Sequence, residues 1–351
     1  MALPDVLRSL LIAHGPSGYE TPPAAVWRKA AAAFADVDSD TMGSSFARVA
    51  GTAGGPSVAI IGHIDEIGLI VTHIEDTGFL RFAAVGGWDP QILVGHRVTV
   101  STGAGEVPGV VGRKPIHLLK DEDRKRVAEL KELHIDIGAA DGDEARGMVR
   151  VGDTAVLPGD PVELPNGRAV SKAMDNRLGA FVAYEAARLV AEVGGAPGDV
   201  IAVAAVQEEI GLNGARTAAH RLRPDVAVVV DVTHATDAPG IDVSALGKHE
   251  LGSGPVLERG ATLHPVLFER MQAAAEAEGI AYTVAATASR TGTDADVVHM
   301  TRDGIPTTIV SLPLRYMHSP VELVQLSDVL EAAQVIAAFC RALEPGTSLE
   351  R

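Results

Sequence analysis

The sequence has little sulfur and few aromatic side chains. Its 351 residues include one cysteine, two tryptophans and four tyrosines. The cysteine, Cys340, has no partner for a disulfide within the chain, and it lies in the stretch VLEAAQVIAAFCRAL, where apolar residues recur at helical spacing. We therefore expect Cys340 to be a buried core residue rather than a nucleophile, in a protein that works in a reducing cytoplasm.

Basic stretches and long apolar runs are also missing. The chain has 30 lysines and arginines against 46 aspartates and glutamates, which gives a net charge of −16. Such a surface repels nucleic acid and anionic membranes, so neither is an expected partner. No apolar run approaches the ~18–20 residues that span a bilayer, and the opening stretch has no charged segment followed by a long apolar one. We expect a protein that is neither exported nor bound to a membrane.

The sequence does contain an alternation of helical and extended apolar segments. This pattern covers residues 1–69 and 166–351 and predicts an α/β domain with a central mixed β-sheet flanked by helices on both faces. Residues 70–165 differ, because they consist of short alternating stretches interrupted by glycine and proline. We expect this segment to be a small β-rich domain inserted into the larger one.

Polar residues that could bind a metal follow several predicted strands. Ligands of open α/β sheets bind outside the carboxyl ends of the strands. Four apolar runs end in histidine or acidic residues, and another acidic residue begins a predicted helix. The candidates are His63, Asp65, Glu208, Glu209, Asp231, His318 and, at the helix, Asp175. Each has an ordinary structural explanation by itself, such as a helix N-cap for Asp175, but their convergence favours a metal site.

The adjacent carboxylates of AVQEEIGLNGA carry the strongest signal. Neighbouring strand residues point to opposite faces, so one of Glu208 and Glu209 would be buried without a partner unless a cation is present. His63 and Asp65 are two residues apart, and we expect Asp65 to accept the outer N–H of a metal-binding His63 imidazole.

The residue types indicate which metal would bind. Imidazoles and carboxylates without thiolates suit zinc, cobalt or manganese. With two histidines and three carboxylates as ligands, one carboxylate can bridge two ions ~3.5–4 Å apart and another stays free as a general base. We expect two divalent metal ions per subunit, zinc or cobalt, with manganese as an alternative.

Several long motifs occur in an order that resembles the dinuclear metallo-aminopeptidases of the tetrahedral-assembly type. These motifs are GPSGYE, GHIDEIG, GGWDPQ, KAMDNRLG, QEEIGLNGA, VVVDVTHATDAPG, TGTDAD and RYMHSPVE, and they span nearly the whole chain. The family includes glutamyl, leucyl, lysyl and deblocking aminopeptidases and some proteins described as endoglucanases. The resemblance implies removal of N-terminal residues from peptides.

The resemblance also implies a role for each candidate residue. One ion would be held by His63, Asp175 and Asp231, and the other by Asp175, Glu209 and His318, with Asp175 as the bridge. Glu208 would be the general base and acid, and Asp65 would orient His63. The inserted domain would mediate dimerisation, and the dimers would assemble into a homododecamer, a hollow tetrahedron.

Three other functions are possible for a chain with these residues. A glycosidase needs two carboxyl groups that face each other ~5–9.5 Å apart, whereas adjacent strand residues diverge. A dinuclear carboxypeptidase or deacylase would need an arginine for a free carboxylate, and Arg290 or Arg315 could serve. A catalytically silent assembly subunit is disfavoured because no site position is missing.

Two further residues have two possible roles each. Arg290 either favours substrates with an acidic side chain or is a surface residue. His117 either lies on the surface or reaches the active site of a neighbouring subunit.

Overall fold

The computed structural model describes residues 2–351, which form ten α-helices and seventeen β-strands. The helices are α1 (Asp5–Ile12), α2 (Thr21–Ala31), α3 (Pro90–Leu93), α4 (Gly142–Met148), α5 (Met174–Glu192), α6 (Asn213–Leu222), α7 (Val243–Leu246), α8 (Pro265–Ala277), α9 (Ala295–Val298) and α10 (Leu326–Arg341). The strands are β1 (Asp36–Ser39), β2 (Ser45–Val49), β3 (Val58–His63), β4 (Gly68–Ile74), β5 (Leu80–Val85), β6 (Arg97–Thr102), β7 (Gly105–Gly112), β8 (His134–Asp136), β9 (Thr154–Val156), β10 (Val162–Leu164), β11 (Arg168–Ser171), β12 (Val200–Ala205), β13 (Val226–His234), β14 (Val256–Gly260), β15 (Thr283–Thr287), β16 (Thr307–Arg315) and β17 (Glu322–Gln325).

Eleven strands form one mixed sheet, which confirms the predicted fold class. Its order is β1-β2-β12-β3-β13-β16-β17-β11-β10, with β14 paired to β16 and β15 paired to β14. The central strands β12, β3, β13 and β16 are parallel, whereas β2 and β17 join them in antiparallel orientation. Every residue of β3 and β12 is buried, as expected for strands that are covered on both faces.

Helices cover both faces of this sheet because alternate strand residues point in opposite directions. On one face, Ile60 and Val228 belong to a large apolar cluster with residues of α1, α2, α5, α8 and α10. On the other face, Ile61 and Val229 pack with residues of α6 and α9. Cys340 is 1% exposed within the first cluster, which confirms its predicted place in the core.

The strands between residues 68 and 156 form a separate closed antiparallel barrel. Its order is β4-β5-β8-β7-β6-β9, and its interior is filled by its own apolar cluster. The next strand, β10, belongs to the edge of the large sheet. The division of the chain at residues 70 and 165 stays a prediction. None of the helices within residues 2–351 combines the length and the apolarity that a membrane span requires.

Candidate metal centre

The candidate side chains meet at one edge of the large sheet. The parallel strands β12, β3, β13 and β16 are neighbours, so their carboxyl ends lie side by side. His63 is the last residue of β3, Asp231 lies near the end of β13, and the chain leaving β16 carries His318. Glu208 and Glu209 follow β12, and Asp175 lies at the start of α5.

Asp175 lies between the two histidines. Its Oδ1 is 3.2 Å from Nε2 of His63, and its Oδ2 is 3.2 Å from Nε2 of His318. The backbone of Asp175 is not helical, and the side chain that accepts an N–H in the first helical turn is that of Asn176, 2.8 Å from the N–H of Gly179. The N-cap explanation for Asp175 is therefore wrong, because its two oxygens face the imidazoles instead. This arrangement allows one carboxylate to contact two cations.

Further carboxylates complete the two sides of the cluster. Oε1 of Glu209 is 3.4 Å from Nε2 of His318, and Oε2 of Glu208 is 3.6 Å from Nε2 of His63. Two groups of three residues offer ligand atoms that lie within 4.8 Å of one another: His63, Asp175 and Glu209, and His63, Glu208 and Asp231. Both glutamates are thus close enough to the cluster to offer a ligand atom.

The expectation that Glu208 and Glu209 point to opposite faces of a strand is wrong. Strand β12 ends at Ala205, and Gln207 then adopts a left-handed backbone with φ of 59°. This residue turns the chain, so both glutamates lie in the loop before α6 and both reach the cluster. The carboxylates converge because of the turn, rather than because of strand alternation.

Asp65 contacts both the histidine and this loop. Its Oδ1 is 3.4 Å from Nδ1 of His63, a long distance for a hydrogen bond. The same carboxylate accepts the backbone N–H of Glu208 at 3.1 Å and of Glu209 at 3.2 Å, and it also accepts the hydroxyl of Ser17. Asp65 therefore fixes the backbone that carries both glutamates.

The pKa values show an excess of buried negative charge. Burial raises the pKa of Glu208 to about 9, with Asp231 and Asp294 adding to the rise and His63 opposing it. Burial also raises the pKa of Asp231 well above its usual value. Hydrogen bonds to Asp175 and Glu209 raise the pKa of His318 to about 11. The carboxylates outnumber the imidazoles, so the cluster requires cations to hold all of them ionised.

This donor set fits divalent metal ions. It combines imidazole nitrogens with carboxylate oxygens, and it contains no thiolate because Cys340 lies in the core. Within residues 2–351, Nδ1 of His63 makes no hydrogen bond although it is buried.

Glu322 is a buried residue of this site that the sequence did not single out. Its Oε2 accepts the backbone N–H of Met174 at 2.7 Å and of Asp175 at 3.1 Å. Its Oε1 accepts the backbone N–H of His318 at 2.9 Å. One carboxylate thus joins the two segments that carry Asp175 and His318. Its position in the motif RYMHSPVE is the only signal in the sequence.

Asp294 of the TGTDAD motif is a second buried acid that was not singled out. It is 1% exposed, and within the described chain neither of its carboxylate oxygens accepts a hydrogen bond. Burial raises its pKa to about 7, an effect that His63 opposes and Asp65 reinforces. Asp294 thus adds to the negative field around Glu208.

The two arginines considered for a carboxylate-binding role differ in their surroundings. Arg315 donates to both oxygens of Asp237, at 3.0 and 2.5 Å, so its guanidinium is already paired. The side chain of Arg290 is 84% exposed and lies 3.9 Å from Asp296. His117 is exposed on a loop of the barrel between β7 and β8. None of these three residues belongs to the metal-binding groups described above.

The whole chain is similar to several known proteins. Residues 43–335 match the model of the M42 glutamyl aminopeptidase family. The chain is 35% identical to a lysyl aminopeptidase of Pyrococcus furiosus over 314 residues, 88% of each protein. It is 36% identical to the structure of a TET aminopeptidase from a marine sediment thaumarchaeon, with a TM-score of 0.92 and coverage of 97% and 96%. The Pyrococcus horikoshii TET1 peptidase, which can assemble into a tetrahedron or a large octahedral shell, is 32% identical, with a TM-score of 0.85 and coverage of 97% and 99%.

Proposed function

Because the chain belongs to the M42 glutamyl aminopeptidase family and is a metal-dependent aminopeptidase, we propose that the cluster around Asp175 is its catalytic centre. The observation that carries this proposal is the position of Asp175. One of its carboxylate oxygens lies 3.2 Å from the imidazole of His63, and the other lies 3.2 Å from the imidazole of His318. Further carboxylates lie around it, and the two groups of potential ligand atoms share His63: Asp175 and Glu209 complete one group, and Glu208 and Asp231 complete the other.

Following the family resemblance, we assign one ion to His63, Asp175 and Asp231, and the other to Asp175, Glu209 and His318. The contacts of Asp175 with both imidazoles and of Glu209 with His318 support this assignment. Zinc or cobalt suits these ligands best, with manganese as an alternative. When bound, the pair of ions supplies Lewis-acid polarisation of the peptide carbonyl and lowers the pKa of water in the site toward ~7.

Glu208 is the proposed general base and acid. Its carboxylate reaches the cluster next to His63, while its backbone N–H is held by Asp65. Without nearby cations burial favours its protonated form, and positive charge in the site favours the ionised form that accepts a proton. Glu208 then takes a proton from water and delivers it to the amine that leaves.

Substrate panels test the activity. Aminoacyl-anilides, N-blocked peptides and carboxymethylcellulose would be assayed with zinc, with cobalt and with EDTA. We expect hydrolysis of the aminoacyl-anilides with either metal, little turnover of the blocked peptides, and loss of activity in EDTA that restored metal reverses. Activity that EDTA leaves unchanged, or activity on the cellulose substrate alone, would contradict the proposal.

We also propose that the chain forms dimers through the barrel and that the dimers assemble into a tetrahedral dodecamer. The barrel exposes large apolar side chains, namely Val110, Ile116, Leu118 and Val127, which are 46–65% exposed. Such side chains favour contact with another protein surface. The tetrahedron formed by the similar TET1 peptidase supports the assembly. Light scattering should give a mass far above the 36.4 kDa of one chain, and a monomer mass would contradict the proposal.

A further inference from the structure

Two buried carboxylates hold three successive backbone N–H groups in the loop that carries Glu208. Oε1 of Glu20 accepts the N–H of Gln207 at 3.0 Å. The next two N–H groups, of Glu208 and Glu209, are accepted by the two oxygens of Asp65 at 3.1 and 3.2 Å. The contact with Glu20 thus lies immediately before the proposed base.

The backbone at Gln207 needs such support. Its φ of 59° is a left-handed conformation, which is strained for a residue other than glycine. A conformation of this kind persists when the surrounding groups fix it. The hydrogen bond from Gln207 to Glu20 acts directly on the strained residue, and the two bonds to Asp65 act on the residues that follow it.

Glu20 is itself fixed by the segment that contains it. It is 4% exposed, and its Oε1 also accepts the N–H of Gly18 at 2.6 Å. In the same segment, Ser17 donates its hydroxyl to Asp65 and its backbone N–H to the carbonyl of Glu66 at 3.2 Å. The GPSGYE segment therefore connects the end of β3 to the loop after β12.

We infer that Glu20 is a positioning residue for the general base, and that it acts as a hydrogen-bond acceptor that keeps Gln207 in its left-handed conformation. Glu20 neither touches the substrate nor binds the metal in this role. The inference rests on the proposed function of Glu208, but the hold on the loop is measurable without catalysis.

Substitutions at Glu20 can separate the effect of its hydrogen bonds from the effect of its charge. Because the same oxygen of Glu20 accepts both N–H groups, Glu20→Gln can retain both bonds while it removes the charge. Glu20→Ala removes the acceptor, and Glu20→Met removes it while filling most of the space. Asp328→Ala is the matched control, since buried Asp328 accepts the N–H of Gly252 at 2.8 Å and of Gly254 at 3.2 Å in another loop.

The first readout is hydrogen exchange of the peptide 205–212, measured by mass spectrometry. We expect faster exchange in Glu20→Ala and Glu20→Met, and exchange as in the native chain for Glu20→Gln and Asp328→Ala. The second readout is steady-state kinetics with the metal content measured. We expect kcat to fall about 10- to 100-fold in the Ala and Met variants, with KM and metal content within about twofold, because misplacing a catalytic group by about 1 Å costs that much.

Each outcome decides a separate claim. Native exchange and native kcat in both the Ala and Met variants would overturn the inference. Equal loss in Glu20→Gln and Glu20→Ala would also overturn it, because the charge would then be what matters. If the native chain hydrolyses no aminoacyl-anilide, the proposed function fails, while the exchange measurement still tests the hold on the loop.

Discussion

Replacing Gly62 with alanine should move apart two elements that carry proposed metal ligands. A Cβ at Gly62 would lie 2.2 Å from the carbonyl carbon of Gly179 and 2.4 Å from the nitrogen of Ala180. Ordinary contacts of a Cβ begin near 3.4 Å, so α5 would have to retreat from β3 by about 1 Å. His63 follows Gly62 on β3, and Asp175 lies in the non-helical start of α5.

The expected effect is large on catalysis and moderate on stability. A displacement of about 1 Å between catalytic groups costs about 100-fold in rate. Overpacking of a tight interior contact costs about 1–3 kcal/mol in the free energy of unfolding. We therefore expect Gly62→Ala to fold with a lowered Tm, to bind metal more weakly, and to lose about 100-fold in kcat/KM on an aminoacyl-anilide.

Gly147→Ala is the control, because Gly147 lies in α4 and a Cβ there meets no atom within 4 Å. This variant should keep native kcat/KM and gain up to about 1 kcal/mol, since alanine favours a helix more than glycine does. Native kcat/KM and Tm in Gly62→Ala would refute the argument that the contact between β3 and α5 sets the distance from His63 to Asp175.

Three further predictions concern the site and the core. Glu322→Gln should lower the affinity for metal, or the measured metal content, at least tenfold. The reason is that an amide keeps only one acceptor oxygen, whereas the two oxygens of Glu322 accept the backbone N–H groups of Asp175 and His318. Unchanged metal binding in a calorimetric titration would contradict this prediction. Adding zinc to the metal-free chain at 100 times its Kd should raise the free energy of unfolding by about 2.7 kcal/mol, and a Tm independent of zinc would argue against a structured site. Burial raises the pKa of the Cys340 thiol to about 12, so it should stay protonated at pH 8 and react with a thiol reagent only after unfolding; rapid labelling of the native chain would show that it is accessible.

The clustering of many candidate side chains was predictable because it depends on strand ends. His63, Asp231 and His318 each follow an apolar run, and parallel neighbours in a sheet bring such residues to one edge. A β-rich segment distinct from the large sheet was also predictable from the sequence. Its strands appear as short alternating stretches, whereas the buried parallel strands of the sheet appear as continuous apolar runs. These features are local in sequence or follow from the regular geometry of a parallel sheet.

The hydrogen bonds by which Glu20 and Glu322 hold the backbone around the site could not be predicted in the same way. Glu20 and Glu322 bind backbone N–H groups that are distant in sequence, and any residue other than proline supplies such a group. The left-handed turn at Gln207 was missed because glutamine gives no sign of positive φ. For this reason the strand-based argument predicted the wrong geometry for Glu208 and Glu209, although both carboxylates do reach the cluster.

Paired substitutions at the two adjacent glutamates test the central claim most directly. Glu208→Gln and Glu209→Gln would be purified with metal, and the ions per chain would be measured by mass spectrometry alongside kcat. We predict that Glu208→Gln keeps two ions per chain and loses about 100- to 10,000-fold in kcat, as expected for removal of a general base, whereas Glu209→Gln loses one ion. Loss of an ion in Glu208→Gln with two ions kept in Glu209→Gln would show that the roles are exchanged, and native turnover in Glu208→Gln would contradict the mechanism.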